Sequence, residues 1–113
     1  MGEPRLQGVA DQTIDVMLIP YIQASIKYAL KVDSDIADGD MDAARIHQAE
    51  GWAFYRVIEP ILAKADAASA KRIGSIFDLS QSQPSAAGAE IKAILMSNLD
   101  AFNVSAEQIG SYD

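Results

Sequence analysis

The residues best suited to chemistry lie near the middle of the chain, where His47 and Glu50 stand three positions apart. Side chains at this spacing on a helix point the same way, so an imidazole and a carboxylate here can ligate one metal ion. Both residues fall within an arc of apolar side chains, where a carboxylate is costly to bury unless it is paired or ligated. The pattern therefore predicts a metal site at His47 and Glu50. The alternative is an ordinary hydrogen-bonded pair.

Further oxygen donors come from the preceding helical segment, where Tyr21, Tyr28 and Asp15 lie on or beside an apolar arc. A hairpin folded about residue 36 or 37 brings Glu50 level with Gln23, which places both tyrosines at a suitable height. Asp15 lies roughly 12 Å farther along and is the weaker candidate. Phenolate, carboxylate and imidazole form a hard, mostly anionic donor set that suits Fe(III), and a divalent metal is the alternative.

The chemistry that these residues indicate is binding and not catalysis. Di-iron bundles use a repeated Glu-x-x-His motif, whereas this chain has the reverse order once and a single His. The sequence contains no cysteine, which excludes iron–sulfur clusters and Cys-based zinc sites. It has no nucleophile elbow and no phosphate-binding glycine loop. We therefore expect a protein that is not an enzyme; a small metal-dependent oxidase or hydrolase is the rival hypothesis.

Helical periodicity positions the candidate ligands, because apolar side chains recur three and four apart along most of the chain. The pattern predicts helices over residues 13–32, 41–65, 66–77 and 85–102, and one further turn that Ser105 caps. We expect Thr13 to cap the first helix and Pro20 to kink or restart it. The acidic segment 33–42 is predicted to be a tight connection, so the first two helices form an antiparallel hairpin.

The predicted fold class is all-α, a small bundle of about four helices built on this long hairpin. A single helical domain is expected over residues 1–113, which could be one module of a longer secreted protein. Gly51 would let a neighbouring helix approach the second helix closely. The core side of that helix is predicted to carry Ile46, Phe54, Val57, Ile58, Ile61 and Leu62.

Charge and hydropathy exclude two classes of partner. The formal net charge is −7, so nucleic acid would be repelled, and no basic stripe compensates for this. No run of about 18 apolar residues is present, so no membrane span is expected. The first residues, MGEPRLQGVADQ, lack the basic region followed by an apolar region that marks a secretion signal. A module cut from a longer secreted chain would also lack this signal.

Arg56 and Trp52 are predicted to lie on the side of the second helix opposite the candidate ligands. Arg56 is a candidate anion-binding residue, and its pairing with Glu59 or Trp52 is the alternative. Trp52 either packs on another helix or marks a partner surface.

The segment HQAEGWAFYRVIEP (residues 47–60) follows an acidic connection and the helix DVMLIPYIQASIKYAL. Together they resemble the iron-assimilating, low-iron-inducible periplasmic proteins of algae, which are related to the phytotransferrins. The resemblance covers residues 11–65 and rests mainly on the core AEGWAFYR. It implies a periplasmic or extracellular protein that binds ferric iron for uptake, with carbonate as a candidate synergistic anion. Glu50 matches the acid of the motif most directly, and His47, Tyr55 and Arg56 belong to the same segment. The chain is shorter than those proteins.

Two alternatives stay open. The protein could instead be a helical protein-interaction or structural module without metal, with a partner surface around Trp52. A homodimer could also bring two sets of His47 and Glu50 together, so the ligands within one chain need not be the complete set.

Overall fold

The chain folds into helices joined by short loops. The computed structural model describes the backbone of residues 3–110 and the side chains of residues 16–110. In chain order the elements are α1 (Glu3–Ala37), α2 (Met41–Ala65), α3 (Ala67–Phe77), α4 (Ala87–Ser97), a 3-10 turn (Leu99–Phe102) and α5 (Ala106–Ile109). No strand occurs between residues 3 and 110, so the predicted all-α class is confirmed. None of the helices in this range is long and apolar enough to cross a membrane.

The α1–α2 hairpin is present, but α1 is longer than the sequence indicated. The predicted start at Thr13 is wrong, because the helix begins at Glu3. Of the kink or restart predicted at Pro20, the restart is wrong, since the helix continues through this residue. It also continues to Ala37, which reduces the connection to residues 38–40. Residues 33–37 stay helical because Asp33 and Asp35 find hydrogen-bond partners in other helices, as described below. The end of the connection caps α2 as expected, since the Asp40 carboxylate accepts from the backbone N–H of Ala43.

Helices α3 and α4 pack against the same side of the hairpin. The side chains between them are apolar and almost completely buried; among the largest are Ile22 and Ile26 of α1, Tyr55, Ile58 and Leu62 of α2, Ile73, Ile76 and Phe77 of α3, and Ile91 and Leu95 of α4. Phe102 in the 3-10 turn and Ile109 in α5 close the core near the end of the described chain. The core is therefore on one side of the hairpin.

The buried side of α2 differs from the prediction. Ile46 and Val57 were expected in the core, yet they are 59% and 45% exposed. Buried positions are occupied by Gln48, Gly51 and Tyr55. Periodicity alone could not separate the two sides because both carry apolar residues; the positions of α1 and α3 decide which side is covered. The prediction for Gly51 is confirmed, since a Cβ there would lie 2.5 Å from the ring of Phe77 in α3.

Two polar side chains of α2 hold the loop that follows α3. The Gln48 amide nitrogen lies 3.1–3.2 Å from the backbone carbonyl oxygens of Ile76, Asp78 and Gln81. Arg45 donates to the side-chain oxygen of Gln48 and to the carbonyl oxygens of Leu79 and Gln81. The bond to Ile76 satisfies a carbonyl group in the last turn of α3, which has no partner within the helix, and the other bonds hold the loop that follows. The amide oxygen and nitrogen of the fully buried Gln48 side chain therefore both have hydrogen-bond partners.

The start of α4 is held by α1. The Asp33 carboxylate accepts from the backbone N–H groups of Gly88 and Ala89, both at 2.9 Å. The residue that precedes α4, Ala86, provides no side-chain cap. The carboxylate of α1 therefore satisfies free N–H groups at the positive end of the α4 dipole.

The predicted helix over residues 85–102 is too long at both ends. It begins at Ala87 and ends at Ser97, and a 3-10 turn follows. The Asn98 side chain donates to the Ile94 carbonyl oxygen at 2.9 Å, a local bond that competes with continuation of the helix. The predicted last turn is confirmed, and Ser105 forms its capping box with Gln108.

Asp66 caps α3, since its carboxylate accepts from the Ser69 hydroxyl at 2.6 Å and from the Ser69 backbone N–H at 3.1 Å. These bonds lower the pKa of Asp66 below its ordinary value, the hydroxyl contributing most. Because the lower pKa belongs to the folded state, the cap stabilises fully above about pH 4, and its contribution is lost as the pH falls through the folded-state pKa. We expect urea unfolding to show a stability difference between wild type and Asp66→Asn that shrinks from about pH 4 to pH 2. A difference that stays constant over this range would contradict the expectation.

Candidate metal centre

Four side chains with metal-binding atoms gather where α1 and α2 face each other near the hairpin loop: Tyr28 and Asp35 from α1, and His47 and Glu50 from α2. His47 Nδ1 lies 2.6 Å from Asp35 Oδ2. The Glu50 carboxylate lies close enough to the Tyr28 hydroxyl to raise the pKa of that group. The Tyr28 ring also stacks on the His47 imidazole, with ring centroids 5.9 Å apart. The His47–Asp35 pair and the Tyr28–Glu50 pair are thus joined into one cluster through the stacked rings.

The register of the hairpin explains which residues meet. Because α1 continues to Ala37, the chain reverses at the turn around Gly39 and not at residue 36 or 37. Glu50 therefore faces Tyr28, whereas the expected register placed it level with Gln23. The same change brings Asp35 within hydrogen-bonding distance of the candidate histidine. Asp35 was missed from the sequence because it was assigned to the acidic connection; its spacing of seven residues from Tyr28 would place both on one face of a longer helix.

Not all the predicted ligands join the cluster. Tyr21 lies against Phe54, with ring centroids 6.2 Å apart, about two turns from Tyr28 along α1. Asp15 falls outside the side chains that the structure describes. Arg56 is on the other side of α2, with its guanidinium carbon 5.7 Å from the centre of the Trp52 ring. The structure therefore brings together three of the predicted residues and adds one that was not predicted.

Two lysines of α1 flank the cluster. The Nζ atoms of Lys27 and Lys31 lie 5.7 and 5.8 Å from the centre of the Tyr28 ring. Their charges offset those of the Asp35 and Glu50 carboxylates. An anion bound beside this cluster would meet these two cations, a role that the sequence assigned to Arg56.

The protonation state of Tyr28 follows from its partner. Its pKa is raised above the ordinary value of 10, first by the hydrogen bond to Glu50, then by burial and by the negative charge of Glu50. At neutral pH Tyr28 is therefore a phenol that donates to the carboxylate. It becomes an anionic ligand only when it loses this proton.

The cluster is open to solvent and its donors are hard. The side chains of His47 and Asp35 are 25% and 17% exposed. Within residues 16–110, however, no three Asp, Glu or His side chains surround one point closely enough to hold a metal ion. A metal site with three protein ligands in this cluster therefore requires the phenol oxygen of Tyr28 as one ligand, or a different side-chain conformation of Glu50. If either requirement is met, the donor types in the cluster fit a ferric ion.

Comparisons with known proteins return no match to this chain among protein-family models, curated proteins or solved structures. The chemistry of the cluster is therefore the basis for assigning a function.

Proposed function

We propose that the protein is a non-enzymatic metal-binding module that binds ferric iron for uptake, through His47, Glu50 and Tyr28. The observation that supports the proposal is the gathering of these three side chains on one solvent-accessible part of the hairpin. Ferric iron prefers hard, anionic oxygen donors, and a carboxylate and a phenolate are donors of this kind. A periplasmic or extracellular location belongs to the same proposal and rests on the family resemblance alone.

Asp35 has an orienting role in this proposal. Histidines that ligate a metal usually donate their other ring N–H to a carboxylate, which fixes the ring and its tautomer. The contact of Asp35 with Nδ1 of His47 matches that arrangement and leaves Nε2 as the ligating nitrogen. A bound ferric ion would supply the positive charge that lets Tyr28 release its proton. Carbonate, the proposed synergistic anion, would lie beside Lys27 and Lys31.

The proposal predicts iron retention that depends on the cluster. Purified protein would be incubated with ferric nitrilotriacetate and bicarbonate, desalted and measured by elemental analysis. We expect the wild type to retain iron at unit stoichiometry, and Glu50→Ala and His47→Ala to lose it. Retention should increase with pH, because the ligands bind iron only after they lose their protons. Glu107→Ala, which removes an exposed carboxylate of α5 that is not part of the cluster, is the matched control and should retain iron.

A spectroscopic readout distinguishes ligation from adsorption to an acidic surface. A ferric ion bound to a tyrosine phenolate absorbs visible light by charge transfer from ligand to metal. This band should be present in the iron-loaded wild type and absent in Tyr28→Phe, while Tyr21→Phe should keep it. Equal iron in Glu50→Ala and Glu107→Ala would overturn the proposal.

A second candidate function is an interaction module without metal. It is favoured by the exposure of Ile46 and Val57, which have no covering helix, and by the partners that His47 and Glu50 already have within the chain. No retained iron in any sample would favour this second candidate.

A further inference from the structure

The end of α1, residues 33–37, bonds to two other helices at once. Asp33 accepts from the backbone N–H groups of Gly88 and Ala89 at the start of α4, each at 2.9 Å. Two residues later, Asp35 Oδ2 lies 2.6 Å from His47 Nδ1 on α2. Side chains two positions apart on a helix point about 200° apart, so the two carboxylates reach in nearly opposite directions. One turn of helix therefore holds α4 with one carboxylate and the candidate metal centre with the other.

The end of α1 is a poor helix by its own sequence. Aspartate and serine favour caps and turns over helix interiors, and they make up three of its five residues. Residues 33–37 include no basic side chain, and both aspartates place negative charge near the negative end of the helix dipole. Gly39 closes the helix with a bond from its N–H to the Ile36 carbonyl oxygen, which exists only while that residue is helical. The bonds to α2 and α4 therefore decide whether this turn stays helical.

The start of α4 depends on the same turn. Ala86, which precedes the helix, gives no side-chain cap and has a φ of 62°, a left-handed conformation that alanine disfavours. In the loop before it, the Gln83 amide nitrogen lies 3.2 Å from the carbonyl oxygen of Ala29 and 3.4 Å from Asp33 Oδ1. The loop and the first turn of α4 are thus both bonded to α1, and the cap of α4 is supplied from there.

We propose that the end of α1 couples the docking of α4 to the geometry of the candidate metal centre, with Asp33 as a positioning residue that acts through Asp35. While α4 is docked, Asp33 keeps the turn helical and Asp35 stays against His47. When the start of α4 opens, the turn frays and Asp35 leaves the imidazole. The effect on iron rests on the proposed function, whereas the coupling of the two contacts requires no metal.

The coupling acts in both directions. Two sites that bias the same two-state element change each other's free energy by the same amount. A metal ion on Nε2 of His47 would fix the ring that Asp35 contacts, which favours the helical turn and holds the start of α4 in place. A partner that lifts the start of α4 would in turn loosen the metal ligand. Docking of α4 is therefore a means of regulating the site.

The first test is made in EDTA and follows the effect from α4 to the histidine. His47 is the single histidine of the chain, so the NMR signals of its ring nitrogens report its contact with Asp35 without overlap. Asp33→Asn removes a carboxylate oxygen that α4 uses, while aspartate and asparagine have similar helix propensities. At fixed pH, we expect its ring signals to move toward those of Asp35→Asn. Ser34→Asn, an exposed position in the same turn, is the matched control and should keep wild-type signals.

The second test follows the effect from the histidine to α4, and it leaves the cap of α4 in place. His47→Ala removes the partner of Asp35 without changing the sequence of the turn. We expect the amide hydrogens of Gly88 and Ala89 to exchange about fivefold faster. Those of α3 should keep their rate, which excludes a general loss of stability. Glu50→Ala removes a side chain of the same centre whose partner is Tyr28, and it should keep wild-type exchange.

The iron measurement separates this inference from the proposed function. In samples that bind iron, Asp33→Asn should bind it about fivefold more weakly than Ser34→Asn, and equal affinities would overturn the link to the metal centre. If no sample binds iron, the proposed function fails, and the two measurements in EDTA still decide the coupling. Unchanged ring signals in Asp33→Asn, or unchanged exchange at Gly88 and Ala89 in His47→Ala, would overturn it.

Discussion

Replacing Gly88 with Ala is expected to lower the free energy of unfolding by about 3 kcal/mol. A Cβ at this position would overlap the backbone carbonyl oxygen of Ala29 and would lie 2.6 Å from its carbonyl carbon. It would also lie 2.8 Å from the Asp33 carboxylate that caps α4. The backbone of α1 cannot move away without displacing its buried side chains, so either α4 shifts or its cap is lost. Urea unfolding followed by circular dichroism measures the effect.

The matched control is Gly74→Ala in α3. A Cβ there meets only the end of the Glu59 side chain, at 3.1 Å, and this flexible group can turn away. Because alanine favours a helix over glycine by about 1 kcal/mol, the substitution should be neutral or stabilising. The same chemical change is therefore expected to have opposite signs at two helical positions. Equal effects would show that α1 and α4 do not pack as closely as the structure indicates.

Gly51→Ala is expected to destabilise the protein by about 2 kcal/mol. Its Cβ would lie 2.5 Å from Cε1 of Phe77 and 3.3 Å from Cβ of Tyr28, so α2 is crowded by both neighbouring helices at this residue. The ring of Phe77 is fully buried and cannot rotate into solvent. A shift of α2 that relieves the contact with Phe77 would also change how α2 packs on Tyr28, which belongs to the candidate metal centre.

A double-mutant cycle identifies the cause. Phe77→Leu alone should cost about 1 kcal/mol, because it removes buried ring atoms. In the combined variant the smaller leucine leaves space for the alanine Cβ. The loss of stability in the double variant should therefore be smaller than the sum of the losses in the two single variants. We expect a coupling energy of about 1 kcal/mol. Strict additivity would mean that the cost of Gly51→Ala does not come from the Phe77 ring.

The parts of the fold that local residues determine were predictable. The bounds of α2 were predicted correctly, since a capping aspartate and a turn precede it and another capping aspartate, Asp66, ends its pattern. The length of α1 was not, because polar residues near its end are helical only through tertiary partners. Asp33 bonds to α4 and Asp35 to His47. Neither partner can be read from the local sequence.

The candidate metal centre was likewise predictable only where the local sequence determines it. His47 and Glu50 could be chosen together because they lie on one helix, where spacing alone fixes their direction. The choice between Tyr21 and Tyr28 required the register between two helices, and the longer α1 changed that register. Ile46 and Val57 were assigned to the core because apolar periodicity does not show which stripe a neighbour covers.

The capping of α4 by Asp33 has a consequence for the order of assembly. The side chain that caps the N-terminus of α4 is not in the α4 segment. It belongs to Asp33 of α1, which lies 55 residues before Gly88. An isolated helix of 11 residues is marginal in water, and this one also lacks a local cap. The hairpin, whose two helices are joined by a short turn, can form from contacts close in sequence. Nucleation should therefore begin in the hairpin, and α4 should gain its helical structure as it docks, with its first turn formed on the carboxylate of α1.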